Sequence, residues 1–149
     1  MKHRNYILKN YSVRLVDYGS YSVEEKGTAV PDKKTAGGSW YDIEQEMLVS
    51  LSDILTPEDG LLFGIRYIIT GPKKNEPIDL VNTVEFPREI QVDDQTLYES
   101  QFTSHNTTDD KIPSFYSFDD EPIVPGFFKF KVSMKGVTLL TKTIQIASV

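Results

Sequence analysis

Cysteine is absent from all 149 residues, which removes disulfides, thiol nucleophiles and thiolate metal sites but leaves the redox compartment open. Histidine occurs only at His3 and His105, so a Ser-His-acid triad would have to use one of them. Neither sits in a nucleophile motif, and His105 lies in the polar run Thr103-Ser104-His105-Asn106-Thr107, where a solvated imidazole is the ordinary expectation. No apolar run approaches the ~20 residues needed to span a bilayer as a helix. At the N-terminus, Tyr6-Ile7-Leu8 is cut short by Lys9-Asn10 before a secretory core can form. The chain therefore reads as cytoplasmic as it stands, and as periplasmic or extracellular if a leader has been removed. Glycine-rich phosphate loops are missing too, because Gly37-Gly38 lacks a following Lys-Ser/Thr.

Basic charge is scarce, with 16 Lys and Arg against 22 Asp and Glu and a net charge of −6. Such a surface repels nucleic acid, which is not an expected partner. The exception is residues 1–14, where Lys2, Arg4, Lys9 and Arg14 meet no acid; the remaining residues carry 12 basic and 22 acidic side chains, a balance of −10. This end reads as a solvated basic arm over 1–12 lying near an acidic body, and as the place where an anionic partner would dock.

What is present is β-sheet. The 39% of apolar residues suffices for one sizeable core, and 13–149 reads as one domain. The plainest unit is the last one. Phe128, Phe130, Val132 and Met134 alternate with polar residues, Lys135-Gly136 reverses the chain, and a second run follows from Val137 to Ile146. Within that run Leu139 has the opposite parity to Ile144 and Ile146, which predicts a bulge between Leu140 and Thr143.

Upstream, Val13 to Val23 predicts a long strand bent at Gly19. Glu24 to Ser39 reads as an exposed loop. Residues 40–51 fit a strand with Tyr41, Ile43, Met47, Val49 and Leu51 on one face, although a helical stripe nearly matches it. Leu61 to Thr70 predicts a central strand, and Ile78 to Phe86 another that ends at Pro87, with Glu89 to Asp94 either extending it or starting a new one. Thr96 to Thr103 is a further strand, and Ser104 to Pro113 reads as loop. The sum is an all-β, mostly antiparallel sandwich of about seven or eight strands.

Three groups of residues are candidates for binding. Trp40, Tyr116 and Phe118 lie near strand ends, where aromatic rings serve sugars or proteins. Asp119 and Asp120 head an acidic run ending at Glu121; loop carboxylates of this kind can hold calcium, though no Asp-x-Asp-x-Asp-Gly pattern is present. Carboxylate pairs for glycoside hydrolysis exist in number, but the sequence shows no cleft to set their separation. Arg66 stands alone on its strand and reads as half of a structural salt bridge, with Glu85 as its partner if their two strands are neighbours. No cofactor is implied.

Val16-Asp17-Tyr18-Gly19-Ser20-Tyr21, Phe63-Gly64-Ile65-Arg66-Tyr67, Thr70-Gly71-Pro72 and the hairpin led by Val124-Pro125-Gly126 occur in an order that resembles the bacterial family catalogued as domain of unknown function 3859. The likeness spans about residues 13 to 146. It implies a small bacterial immunoglobulin-like β-sandwich and brings no catalytic residues with it. The function that follows is a non-catalytic module binding an unidentified protein partner through loops or a sheet edge, with a carbohydrate- or calcium-binding sandwich and a carboxylate hydrolase as alternatives.

A calcium site at Asp119 and Asp120 predicts a rise in Tm with millimolar calcium, since a ligand of the native state alone must stabilise it. Asp119→Asn with Asp120→Asn then removes that rise in a thermal-shift series; an unchanged rise clears both residues.

Overall fold

The computed structural model describes residues 10–23, 29–31, 39–41, 46–92, 94–118 and 124–148, with the backbone path alone for 29–31, 39–41 and 92. Among them are eight strands of six residues or more and three shorter ones. They are β1 (Ser12–Val23), β2 (Ala29–Pro31), β3 (Ser39–Tyr41), β4 (Glu46–Leu51), β5 (Ile54–Leu55), β6 (Leu62–Thr70), β7 (Pro77–Val92), β8 (Gln95–Thr107), β9 (Lys111–Ser117), β10 (Gly126–Met134) and β11 (Val137–Ile146). One sheet runs β4-β1-β6-β9, the other β5-β11-β10-β7-β8, and β2 and β3 pair by themselves. All pairings are antiparallel except β5 with β11.

Strict alternation in β6 and β10 builds the core between the sheets. Phe63, Ile65, Tyr67 and Ile69 from β6 and Phe128, Phe130 and Val132 from β10 are all fully buried. The Phe63 ring lies 5.1–6.1 Å, centroid to centroid, from Phe128, Phe130, Phe118 and Tyr116, mostly edge to face as the ring quadrupoles favour. One polar link crosses this core: the Tyr67 hydroxyl donates to Asn82 Oδ1 at 2.6 Å, and Asn82 Nδ2 donates to Ser104 Oγ at 2.9 Å. Burial has satisfied these polar groups with each other, which makes the relative slide of the sheets costly.

Several strand boundaries differ from the sequence reading. Pro87 does not end β7. It sits in the register shift between Glu85 and Ile90, where no ladder donor is required, and its ring lies against Gly126. Ser104 to Thr107 is not loop but the end of β8, paired with Leu80 back to Pro77, and β9 begins at Lys111. Their side chains divide between the two faces of the ladder: His105 is exposed, whereas Ser104 turns inward to accept from Asn82. The bulge of the last hairpin is present, but one step earlier than expected: Val132 pairs with Leu140 and Ser133 with Thr138, leaving Leu139 as the extra residue. This lets Val137, Leu140, Ile144 and Ile146 share the core-facing side.

Two glycines, Gly19 and Gly64, face each other across β1 and β6 with φ of +134° and +154°. A Cβ on Gly64 would lie 2.1 Å from the Ser114 carbonyl oxygen, and one on Gly19 would lie 1.9 Å from that of Ser50. Neither backbone can withdraw without breaking its ladder. Gly64→Ala is therefore expected to destabilise the chain by about 2–4 kcal/mol in urea unfolding; a loss near zero would refute this close approach.

Candidate functional site

The alternation that sends Phe63, Ile65 and Tyr67 inward sends Arg66 to the outer face of the first sheet. It is nevertheless only 8% exposed. Its cross-strand partner is Asp17, and the guanidinium forks onto that carboxylate, Nε donating to Oδ1 at 2.7 Å and Nη2 to Oδ2 at 2.5 Å. Nη1 donates to the Glu46 carbonyl oxygen at 3.4 Å and lies 3.6 Å from the Glu46 carboxylate. The Tyr21 hydroxyl donates to Asp17 Oδ1 at 2.8 Å, its ring lies 5.1 Å from the guanidinium carbon, and its other neighbour is the Phe115 ring at 4.2 Å. One cation thus ties together β1, β4 and β6.

The electrostatics follow from the geometry. Hydrogen bonds from Arg66 hold the Asp17 carboxyl below its ordinary pKa, against the opposing effect of its own burial. Burial pushes the Glu46 carboxyl up, with Arg66 and Lys111 resisting. Burial and the bond to Asp17 push the Tyr21 hydroxyl well above its usual range. An ionised Asp17, a charged Arg66 and a protonated Tyr21 bound to each other form a clamp, and none of the three is poised to exchange a proton near neutrality.

The clamp holds the start of β4, and β4 is an edge. Its alternation is not the single apolar face expected of Met47, Val49 and Leu51: Leu51 pairs with Gly19 and Leu48 with Tyr21, Met47 pairs with Ser22 on the opposite face, and Val49 is a bulge between them. Met47 is 71% exposed, Val49 66% and Leu51 62%, and Ile54 in the adjoining β5 is 59% exposed. These four stand among six large exposed hydrophobics of the described residues; the other two, Tyr98 and Phe127, belong to the second sheet.

Other edges carry protection. The edge strand β9 carries a lysine at Lys111 and, at Pro113, a proline without an N–H to offer a further strand, and Lys142 points from β11 toward the core side, its ammonium 4.1 Å from the Tyr18 ring centroid and 3.5 Å from Asp53. On β8, Glu99 and His105 stand on the solvent-facing side. From Met47 through Ser52 there is no charge at all.

The residues singled out by sequence fare differently. Tyr116 and Phe118 are 8% and 3% exposed and belong to the core cluster, so the surface expected of them is not offered. They pack there because β9 continues its alternation through the aromatic run. The side chain of Trp40 and the whole of Asp119 and Asp120 lie outside the described residues. His105 is on β8 with its Nδ1 2.6 Å from Asp79 Oδ1, an exposed pair on the second sheet. Arg66 does not meet Glu85, because their strands belong to different sheets; Glu85 pairs with Lys131 at 2.8 Å. No group of three or more metal-ligating side chains occurs among the described residues. Sequence reasoning missed Asp17 and Glu46 as the partners of Arg66. The signal was the lone arginine in an apolar strand, which demands a carboxylate wherever it is buried.

The short motifs quoted above find a structural reason here, since Asp17 to Tyr21 and Leu62 to Arg66 are the segments facing each other in the clamp. No family model matches the chain, so the likeness to domain of unknown function 3859 remains one of short motifs. No curated protein matches it significantly. Among solved structures, an immunoglobulin-like protein from Pseudomonas aeruginosa superposes with a TM-score of 0.57 at 17% identity, covering 91% of this chain and 97% of that one. The chain has an immunoglobulin-like fold, and this structural neighbour is bacterial.

Asp17, with its pKa lowered in the native state, contributes stability that is full above the unfolded carboxylate value of about 4 and is lost as pH falls through the lower native value. Glu46, raised, acts with the opposite sign. Asp17→Asn is expected to cost about 2–3 kcal/mol at pH 7, and the difference from the parent chain should shrink below pH 4 in urea titrations. A cost that stays constant down to pH 2 would contradict this ionic role.

Proposed function

We propose that this chain is a non-catalytic binding module that engages a polypeptide by strand addition along β4. The observation that carries the reading is the run Met47 to Leu51: among the described residues it is the last strand of its sheet and pairs with no strand on its outer side, and it has three large apolar side chains in water and no charge. Edges in soluble proteins are normally blunted by lysine, proline or inward charge, and a long apolar edge left open is a template for another strand. The Arg66 clamp supports the same reading. It fastens β4 at Glu46 to the sheet behind it, so the edge is presented on a rigid element instead of being left to fray.

The locally bonded state of Asp17, Arg66 and Tyr21 argues for scaffold rather than reaction. Photocrosslinking in the host cell tests the proposal. A photoreactive residue at position 49 should give a discrete adduct that Leu51→Lys abolishes, while the same residue at position 143, on the far sheet, should give none. Equal adducts at both positions, or an adduct indifferent to Leu51→Lys, would remove β4 as the docking edge.

A further inference from the structure

Resting on the reading of β4 as a docking edge, we infer that Met47 is a reversible oxidation site that governs it: conversion of its thioether to the sulfoxide releases the docked strand, and reduction restores docking. The chain has no cysteine, so no thiol competes for a peroxide, and its sulfur is confined to Met1, Met47 and Met134. Met134 is 3% exposed within the core cluster, whereas Met47 is 71% exposed, more than any other large hydrophobic of the described residues. Met1 lies outside them. The neighbours of Met47 along this margin, Val49, Leu51 and Ile54, offer only aliphatic carbon, which peroxide does not attack. Among the described residues, the edge therefore holds one group that a two-electron oxidant can change.

The step balances with hydrogen peroxide as the oxidant. A sulfur lone pair attacks one peroxide oxygen, the S–O bond forms as the O–O bond breaks, and the second oxygen leaves as water with both protons; the sulfur loses two electrons and the peroxide gains them. The product matters because of where Met47 stands. It pairs with Ser22 of β1 on one side, and a strand added on the other would lie about 4.8 Å away, bringing one of its side chains to about 5 Å from that of Met47. In the free chain the new oxygen is solvated, because the side chain is exposed. Under a docked strand water is excluded, and an apolar side chain across from it has no N–H or O–H to offer, so the sulfoxide oxygen is left unsatisfied. Oxidation thus penalises the docked state and spares the free one, and only such a difference can shift the equilibrium between them. The fold is untouched, since Met47 lies outside the core cluster.

Peptide mapping of the full chain through a hydrogen peroxide series tests the site. Met47 should gain one oxygen about tenfold faster than Met134, or more, as their exposures dictate; equal rates would overturn the inference. For control of docking, the chain with the photoreactive residue at position 49 is oxidised at Met47, freed of peroxide, and illuminated in lysate of the host cell. Its adduct should fall about tenfold or more, as one unpaired polar group requires. It should return after treatment with the two methionine sulfoxide reductases, one for each sulfoxide epimer. Met47→Leu keeps the edge apolar and should give an adduct that peroxide does not change. An adduct that survives oxidation of Met47, or one that peroxide removes equally from the Met47→Leu chain, overturns the inference and leaves β4 docking standing. Absence of any adduct from the unoxidised chain instead overturns the docking reading, and the control placed on it falls too.

Discussion

Arg66 carries a charge with little water around it, and that condition constrains the first sheet more than any apolar contact does. Leaving a buried guanidinium unpaired costs several kcal/mol, so the fold is viable only when Asp17 lies directly across from it and Glu46 close behind. Slipping β1 by one residue against β6 would turn Asp17 inward and leave the arginine stranded. Apolar strands tolerate such slips better, because one branched side chain replaces another at modest cost. The ion pair therefore acts as a register pin, and the facing glycines Gly19 and Gly64 allow the neighbouring backbones to approach closely beside it.

From that pin the rest of the sandwich is arranged in order. With β1 and β6 in register, Tyr21 stacks on Phe115 and so places β9, while Glu46 places the start of β4. The opposite face of the same β6 residues supplies Phe63 and Tyr67, which fix the second sheet through an aromatic cluster and one hydrogen bond to Asn82. Polar order on one side of the strand and packing on the other thus depend on the same alternation. The outcome at the periphery is a sheet whose last strand is firmly held from behind and pairs with no other strand in front among the described residues.

The fold was largely legible in the residues, and the candidate site was not. Phe63 to Ile69 and Phe128 to Met134 announce strands by alternation alone, because a period of two is a local property of an extended chain. The parity conflict at Leu139 required a bulge, and one exists, though the exact extra residue depended on which pairing buried Leu140 as well. By contrast, Met47, Val49 and Leu51 looked like core and are in water. Their apolarity is local information, but burial depends on whether anything lies opposite, and β4 overhangs the sandwich at its margin. Tyr116 and Phe118 erred in the other direction: their place near a strand end suggested a binding surface, yet the alternation of β9 turns Tyr116 inward and Phe118, just past its end, follows it into the core.

Sequence by itself determined the class of structure, the two central strands, the terminal hairpin and the acid-free basic stretch of the first 14 residues, since each of these is written in neighbouring positions along one chain. Tertiary structure alone decided that Arg66 meets Asp17 and Glu46 instead of Glu85, and that one apolar strand is an exposed edge. Both depend on which strands become neighbours across tens of residues. That choice is a global balance of burial, pairing and charge, and no window of the sequence contains it.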